Sequence, residues 1–202
     1  MAILKERFGV QGIEVGCDEA GRGCLAGPVV AAAAIVPNGW SHPLLNDSKK
    51  LTEANRNELR KIIEKDFEHW AVGFVFPEKI DEINILNASF LAMHKALKRL
   101  KCIPQLILID GNRFNPYEDI PFECIIKGDG KYSSIAAASI LAKTYRDEYM
   151  QKIHEEFPAY QWHKNKGYPT VKHRNAIRLH GACPYHRKSF QLLPAQMELF
   201  SK

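Results

Sequence analysis

Apolar and polar positions alternate in blocks along most of the chain. Short apolar runs bounded by glycine, proline or aspartate predict strands over residues 13–17, 28–36, 70–76, 106–109 and 124–126. Longer stretches with apolar residues at helical spacing predict helices that begin after Thr52, span 80–100 and span 133–157. This order of strands and helices predicts an α/β fold in which helices cover a sheet.

The chain changes character at about residue 160. Residues 160–170 interleave aromatic and basic side chains, and a short helix containing His173, Ile177 and His180 follows. This mixture is associated with binding to nucleic acid, and the alternative is an amphipathic extension whose rings only pack on the domain. We predict a main domain over residues 1–159 and a docked helical segment over 160–202 that takes part in substrate binding.

The composition narrows the class of protein. The chain has 202 residues, 46% of them hydrophobic, which is enough for one domain with a substantial core. Lys and Arg number 28 against 23 Asp and Glu, and the formal net charge of +5 is compatible with a polyanionic partner without identifying one. The five cysteines form no C-x-x-C pair, which argues against a disulfide framework or a zinc site. Because no apolar run approaches the roughly 20 residues needed to span a bilayer, we expect a cytoplasmic protein with no membrane partner.

Acidic residues follow three of the predicted strands. Asp18 and Glu19 stand side by side after the first strand, Asp110 ends the fourth, and Asp129 follows the fifth. Because sites gather at the carboxyl ends of parallel strands, we expect these four carboxylates to share one cleft. Their mutual repulsion would be offset by hard divalent cations, and an all-oxygen ligand set favours Mg²⁺ or Mn²⁺ over zinc.

A carboxylate cluster beside a Gly-Arg-Gly loop suits hydrolysis of a phosphodiester. Two metal ions, roughly 3.5–4 Å apart, activate water and stabilise the leaving oxygen, so no protein nucleophile is needed. The alternative is that the four acids are unrelated and simply solvated at surface turns, which the spacing alone leaves open.

Several ordered motifs resemble the type 2 ribonuclease H (ribonuclease HII) family. They cover nearly the whole chain and are GCDEAGRGCLAGPVVAAA at 16–33, NDSKKL at 46–51, LIDGN at 108–112, KGD at 127–129, SIAAASILAK at 134–143, GYPTxxH at 167–173 and HRxSF at 186–190. The resemblance implies a ribonuclease H-like fold, which is a mixed five-stranded sheet flanked by helices with a helical C-terminal subdomain. It also implies a metal-dependent endoribonuclease that cleaves the RNA strand of RNA–DNA hybrids. The same resemblance implies incision 5′ of single ribonucleotides in duplex DNA, as in ribonucleotide excision repair, leaving 3′-hydroxyl and 5′-phosphate ends.

The resemblance also assigns roles by position. It makes Asp18, Glu19, Asp110 and Asp129 the catalytic metal ligands. It makes Gly21, Arg22 and Gly23 the loop that recognises the ribonucleotide, and Tyr168 the residue at the RNA–DNA junction. Phosphate contacts are expected from four basic residues in matching motifs, Lys49, Lys50, Lys143 and Arg146, although the first two also suit an ordinary solvated pair.

Some features depart from the family pattern or leave other functions open. Gly130 stands after the fourth acid where a larger residue is usual, so we expect a looser Asp129 loop. Residues 196–200 (QMELF) lack the paired aromatics of a sliding-clamp-binding tail, so no such partner is expected. We expect no other protein partner and expect the protein to be a monomer. The competing functions are a DNA nuclease or junction resolvase with the same carboxylates, and a non-catalytic nucleic-acid-binding protein with structural acids.

Overall fold

The computed structural model describes residues 4–9, 12–45 and 51–194 and contains one five-stranded sheet with helices on both faces. The strands are β1 (Glu14–Ala20), β2 (Val29–Ala34), β3 (Trp70–Val75), β4 (Leu106–Asp110) and β5 (Phe122–Ile125). The helices are α1 (Glu53–Asp66), α2 (Pro77–Lys98), α3 (Ser133–Glu156), α4 (Trp162–Asn165) and α5 (Val171–His180).

The sheet is mixed, with the strand order β3-β2-β1-β4-β5. β1 is antiparallel to β2 and β2 is antiparallel to β3, whereas β1, β4 and β5 are parallel. In the register of the parallel part, Cys17 lies opposite Ile109, and Asp110 lies opposite Ile125. The carboxyl ends of these three strands therefore meet at one edge of the sheet, as the acidic residues in the sequence require.

Small residues let α3 approach β1 closely. A Cβ atom added to Gly16 in β1 would lie 2.2 Å from the carbonyl carbon of Ser134, so only glycine fits beneath the first turn of α3. Ala136, Ala137 and Ala138 follow in the buried part of the same helix. This close packing holds the start of α3 beside the edge where the acids collect. On the opposite face of the sheet, α2 packs on β2 and β3 around Phe90, Met93 and Leu97.

Local sequence explains where α1 and α2 begin and where α2 breaks. Thr52 caps α1 as predicted, because its hydroxyl accepts a hydrogen bond from the amide of Asn55 at 3.2 Å. Pro77 begins α2, three residues earlier than the predicted start, because proline suits the first helical turn. Asn84 interrupts this helix with φ 66° and ψ 165°, and its Oδ1 accepts from the amide of Leu86 at 3.0 Å. Asparagine allows this break because it can leave the right-handed region and cap the next turn. Periodicity did not predict it, because the spacing of apolar residues continues through the break.

The C-terminal segment packs on the β1–β2 connection and on the second half of α3. Its buried residues Tyr160, Trp162 and Ile177 form a cluster with Leu25 and Met150. The four-residue α4 was not predicted, because so short a helix has no detectable period. The division of the chain at residue 160 stays a prediction. None of the helices in the described ranges is long and apolar enough to cross a membrane.

Candidate active site

Asp18 and Glu19 lie inside β1 and not in the turn after it. The strand was predicted to end at Cys17, but it continues to Ala20, which pairs with Val30 of β2. Asp18 is buried, and its Oδ1 accepts a hydrogen bond from the amide of Glu19 at 2.7 Å. The rigid centre of the sheet therefore holds both carboxylates.

Two further aspartates reach the same edge by different routes. Asp110 is the last residue of β4, and its Oδ1 accepts from the amide of Gly128 at 2.7 Å. Asp129 is not on a strand tip, because β5 ends at Ile125 and a single 3₁₀ turn over Gly128–Gly130 carries the acid towards α3. Asp129 is only 2% exposed. The Gly128 amide thus links the two acidic segments.

Three of the four predicted acids form a compact cluster. One carboxylate oxygen from each of Asp18, Asp110 and Asp129 lies within 4.8 Å of the other two. Glu19 stands apart from this triad, since its Oε1 pairs with Nη1 of Arg22 at 3.2 Å. Its Oε2 is buried and has no hydrogen-bond partner among the described residues. The structure therefore offers three clustered carboxylates and one adjacent unpartnered oxygen.

Burial makes the ionised carboxylates costly. Desolvation raises the pKa of Asp18 well above its ordinary value, and repulsion from Glu19 and Asp110 raises it further, against a hydrogen bond from Ser139. Desolvation also raises the pKa of Glu19, which the Arg22 guanidinium partly opposes. Buried, mutually repelling carboxylates with an unpartnered oxygen fit a hard divalent cation, which supplies the missing positive charge.

A cleft of about 300 Å³ opens above this cluster. Its walls combine three carboxylates with the Gly-Arg-Gly loop and four other polar side chains. These are Asp18, Glu19 and Asp110, then Gly21, Arg22 and Gly23, and finally Arg56, Ser139, Lys143 and Tyr168. The structure therefore brings most of the predicted site residues into one cavity, with Asp129 buried close beside it.

Gly21 is required where β1 turns into the loop. Its φ is +97°, a region that favours glycine, and an added Cβ would lie 2.0 Å from Nε of Arg146. Gly23 differs, because an added Cβ there would meet nothing within 4 Å. Gly21 serves the fold of the loop, whereas Gly23 leaves open space on the loop's surface.

Tyr168 lies at the cleft and is not a core tyrosine. It is 43% exposed, and its hydroxyl lies near the thiol of Cys24 just after the loop. Desolvation raises the pKa of this hydroxyl, so the group is neutral at physiological pH. The Tyr168 carbonyl accepts from Nδ1 of His173 at 2.9 Å, which anchors the backbone beneath the exposed ring.

The basic residues expected to contact phosphate have different environments. Lys143 lines the cleft and pairs with Asp147 at 2.7 Å. Arg146 is only 1% exposed, and its guanidinium donates to the carbonyls of Pro28, Lys166 and Ala26 at 3.0, 2.8 and 3.1 Å. The prediction of a phosphate contact at Arg146 is therefore wrong, because the side chain points into the protein. Lys49 and Lys50 lie outside the described residues.

Comparison with known proteins identifies the family. The family model for Ribonuclease HII matches residues 15–193. The chain belongs to the ribonuclease HII family. A ribonuclease HII from Bacteroides fragilis is 67% identical over 191 residues, which cover 94% of this chain and 95% of the relative. Its counterpart from Bacteroides thetaiotaomicron is 67% identical over 181 residues, with 90% of each chain covered.

Solved structures of ribonuclease HII have the same architecture. Ribonuclease H2 from Pyrococcus horikoshii OT3 matches with a TM-score of 0.73 and 27% identity, over 89% of this chain and 94% of that one. The ribonuclease HII in a PCNA complex from Archaeoglobus fulgidus matches with a TM-score of 0.74 and 28% identity, over 92% and 98%. The predicted ribonuclease H-like fold is confirmed.

Membership of the ribonuclease HII family decides the class of activity. The chain is a ribonuclease H endonuclease, a divalent-metal-dependent hydrolase that acts on RNA–DNA hybrids. The alternative of a non-catalytic binding protein is thereby excluded, and so is that of a nuclease acting only on DNA.

Three polar residues of the site were missed from the sequence. Ser139 bonds to Asp18, Arg56 lines the cleft, and Arg187 donates to carbonyls of the Gly-Arg-Gly loop. Ser139 could have been found, because it falls on the same helical stripe as Ile135 and Ala142, which places a hydroxyl in an apolar face. Arg187 lies in the HRxSF motif, but no local pattern shows that its side chain reaches a loop 165 positions away.

Proposed function

We propose that this ribonuclease HII hydrolyses phosphodiesters with two divalent cations and incises 5′ of single ribonucleotides embedded in duplex DNA. The observation that carries the proposal is the placement of clustered carboxylates and the Gly-Arg-Gly loop in the same cleft. A site that can cut and a loop that can inspect a sugar then act on the same nucleotide. The products are a 3′-hydroxyl and a 5′-phosphate.

Asp18, Glu19, Asp110 and Asp129 would hold Mg²⁺ or Mn²⁺. When bound, such ions lower the pKa of water and stabilise charge on the leaving oxygen. The chain itself positions the ligands: the sheet fixes Asp18, the Gly128 amide orients Asp110, and burial keeps bulk water from Asp129. Arg22 neutralises one oxygen of Glu19 and leaves the other available as a ligand.

The loop recognises the ribonucleotide through its backbone. The 2′-hydroxyl is the group that distinguishes RNA from DNA locally, and glycine lets a main chain come within hydrogen-bond distance of it. Gly23 supports this role, because open space lies where its Cβ would be. A bulkier residue there, as in Gly23→Val, would obstruct the substrate and lower activity far more than stability. An equal loss of both would leave the glycine with a role in the turn alone.

Tyr168 reads the step from ribonucleotide to deoxyribonucleotide. Its ring is exposed in the cleft, where it can lie against a deoxyribose, while its hydroxyl is close to the recognition loop. Tyr168→Phe keeps the ring and retains the preference for a 3′ deoxyribose at reduced rate, whereas Tyr168→Ala loses most of it. Comparing both variants on a single-ribonucleotide duplex and on a continuous hybrid separates junction reading from general binding. An equal loss on the two substrates would contradict junction reading.

Phosphate contacts come from Lys143 and from Lys49 and Lys50. The position of Lys143 in the cleft wall supports this role, and its ion pair with Asp147 limits its rotation. Residues 160–194 add seven Lys and Arg and no Asp or Glu, which favours a polyanion on this side of the molecule. Such contacts position a duplex without reading its bases.

We propose that the enzyme works as a cytoplasmic monomer without a protein partner. All the site residues described above come from a single chain. The Archaeoglobus fulgidus relative was solved in a complex with PCNA, but the QMELF sequence here lacks paired aromatics. These tail residues lie outside the described ranges.

One assay tests the proposal. Duplex DNA with one ribonucleotide, the matching all-DNA duplex and a continuous hybrid are incubated with the protein in Mg²⁺, in Mn²⁺ and in EDTA. We expect a metal-dependent cut on the 5′ side of the ribonucleotide and none in all-DNA duplex. Phosphatase and ligase treatment of the products identifies the 5′-phosphate and 3′-hydroxyl. Cleavage in EDTA, or a cut elsewhere than beside the ribonucleotide, would refute it.

A further inference from the structure

Arg187 lies directly behind the recognition loop Gly21–Gly23. Its side chain is fully buried, and its three nitrogens all donate to backbone carbonyls. Nη2 donates to Gly21 at 2.8 Å, Nη1 to Arg22 at 2.9 Å, and Nε to Gly27 at 3.0 Å. The ring of Phe190 lies 5.1 Å from the guanidinium carbon. One planar group therefore binds both ends of the segment from Gly21 to Gly27.

The backbone around Arg187 makes this placement rigid. The Arg187 amide donates to the carbonyl of Leu25 at 2.8 Å, and the Gly27 amide donates to Tyr185 at 2.9 Å. Burial lowers the pKa of Arg187 to about 10, so the guanidinium stays protonated at neutral pH. It therefore keeps all of its donors under the conditions in which the enzyme works.

The hydrogen bonds from Arg187 to the loop carbonyls also fix the direction in which the backbone amides of the loop point. In a trans peptide the C=O of one residue and the N–H of the next point in opposite directions. Because the Gly21 and Arg22 carbonyls point at Arg187, the amides of Arg22 and Gly23 point away from it. Neither amide has an acceptor within the part of the chain that the structure describes, and both residues are exposed in the cleft.

We propose that Arg187 is a positioning residue for ribonucleotide selection, which aims the amides of Arg22 and Gly23 at the 2′-hydroxyl. This inference rests on the proposed function and adds a residue that does not touch substrate. An arginine is required because its planar fork spans three carbonyls, whereas the ammonium of lysine is a single point. A purely structural role would instead predict that replacing Arg187 lowers stability and weakens both affinities together, without changing their ratio.

The test compares selectivity with stability. Affinity is measured for a duplex with one ribonucleotide and for the matching all-DNA duplex, with Ca²⁺ replacing Mg²⁺ to slow hydrolysis. Arg187→Lys should lower the ratio of the two affinities at least fivefold and change all-DNA binding less than twofold. Leu97→Ala, in the core between α2 and the sheet, is the control that lowers stability on the far side of the sheet and should keep the wild-type ratio.

Arg187→Gln is the second variant, used if lysine prevents folding. It should lower the ratio of the two affinities to the same extent. If either folded variant keeps the wild-type ratio, Arg187 has no positioning role, and the proposed function is untouched. If Leu97→Ala lowers the ratio of the two affinities as strongly, selectivity follows general stability and the inference is wrong. If the wild-type enzyme itself shows no preference for the ribonucleotide, the proposed function fails together with the inference.

Discussion

Two buried groups of opposite charge flank the recognition loop, and they differ in how completely the protein supplies their hydrogen-bond partners. The acidic centre consists of Asp18, Glu19, Asp110 and Asp129. Its members repel one another, and Glu19 keeps a buried oxygen without a partner in the described chain. The arginine pair consists of Arg146 and Arg187, and each guanidinium donates to three backbone carbonyls.

The contrast separates residues that act on a ligand from residues that shape the protein. A buried charge whose hydrogen bonds are complete stabilises a particular backbone and has no capacity left for substrate. A buried charge with incomplete partners costs free energy until a ligand supplies them. Burial alone therefore does not identify an active site in this molecule. The acidic centre is distinguished by like charges that cluster beside a buried oxygen without a partner in the described chain.

The largest effect is expected from removing one charge of the acidic centre. Asp18→Asn keeps side-chain size but weakens metal binding, and it should lower cleavage by at least about 10³-fold, equivalent to roughly 4 kcal/mol of transition-state stabilisation. Single-turnover cleavage of a one-ribonucleotide duplex measures this. Asp119→Asn, at an exposed acid away from the cleft, is the control and should leave the rate unchanged. Near-normal turnover of Asp18→Asn would contradict the two-metal proposal.

Removing Arg146 from the arginine pair should chiefly affect stability. Arg146→Leu leaves three carbonyls without their donor and should lower the free energy of unfolding by roughly 3 kcal/mol. Urea denaturation measures the loss, and Arg113→Leu, at an exposed arginine, should change stability by less than about 0.5 kcal/mol. Below its unfolding transition, Arg146→Leu should keep the wild-type salt dependence of duplex binding. A reduced slope would restore the phosphate contact first expected from the sequence.

The pH dependence of the metal-free protein should reveal the cost of the acidic centre. Because the folded-state pKa of Asp18 is raised, its protonated form favours folding, so stability is lost as the pH rises from about 4 through that pKa. In EDTA, Asp18→Asn should therefore be more stable than wild type by about 0.5–2 kcal/mol at pH 7.5 and by much less at pH 4.5. Urea denaturation at the two pH values measures the difference. A constant difference would mean that the Asp18 charge is not the cause.

A smaller effect is expected at Lys143, one of the cations that line the cleft. Lys143→Ala should lower the slope of log affinity against log salt by about one unit or less. Between 50 and 200 mM salt, the affinity of the variant should therefore fall by a factor roughly threefold smaller than that of the wild type. Lys152→Ala, on the exposed side of the same helix, is the matched control and should leave the slope unchanged. Equal slopes for the two variants would place Lys143 among ordinary solvated lysines.

The smallest effect is expected at Gly130, beside Asp129. A Cβ added there meets nothing within 4 Å, and the residue is not among those with positive φ. Gly130→Ala should therefore stabilise the protein by about 0.4–1 kcal/mol, because it restricts the unfolded chain without straining the fold. Thermal unfolding measures the gain, with metal-dependent cleavage as a check on Asp129. A destabilised variant would show that the turn needs glycine.

Most of the scaffold could be predicted from short-range patterns. The five apolar runs correspond to the five strands, and Thr52 and the long period after Ser133 correctly placed α1 and α3. The acids at the predicted ends of three strands pointed to one edge of the sheet, because parallel strands end together. The extension of β1 through Asp18 and Glu19 was missed, since pairing with β2 overrides the turn preference of acids and glycines.

The sequence by itself determined the family, the order of the elements and the identity of the four acids, because these depend on local periodicity and on ordered motifs. Only the tertiary structure decided which charges are free to meet a ligand. Arg146 and Lys143 are three residues apart on one helix, yet one points into the protein and the other into the cleft. Arg187 reaches Gly21 across 166 positions. Such contacts depend on how the C-terminal segment docks, and packing between distant segments leaves no period in the sequence for a pattern to detect.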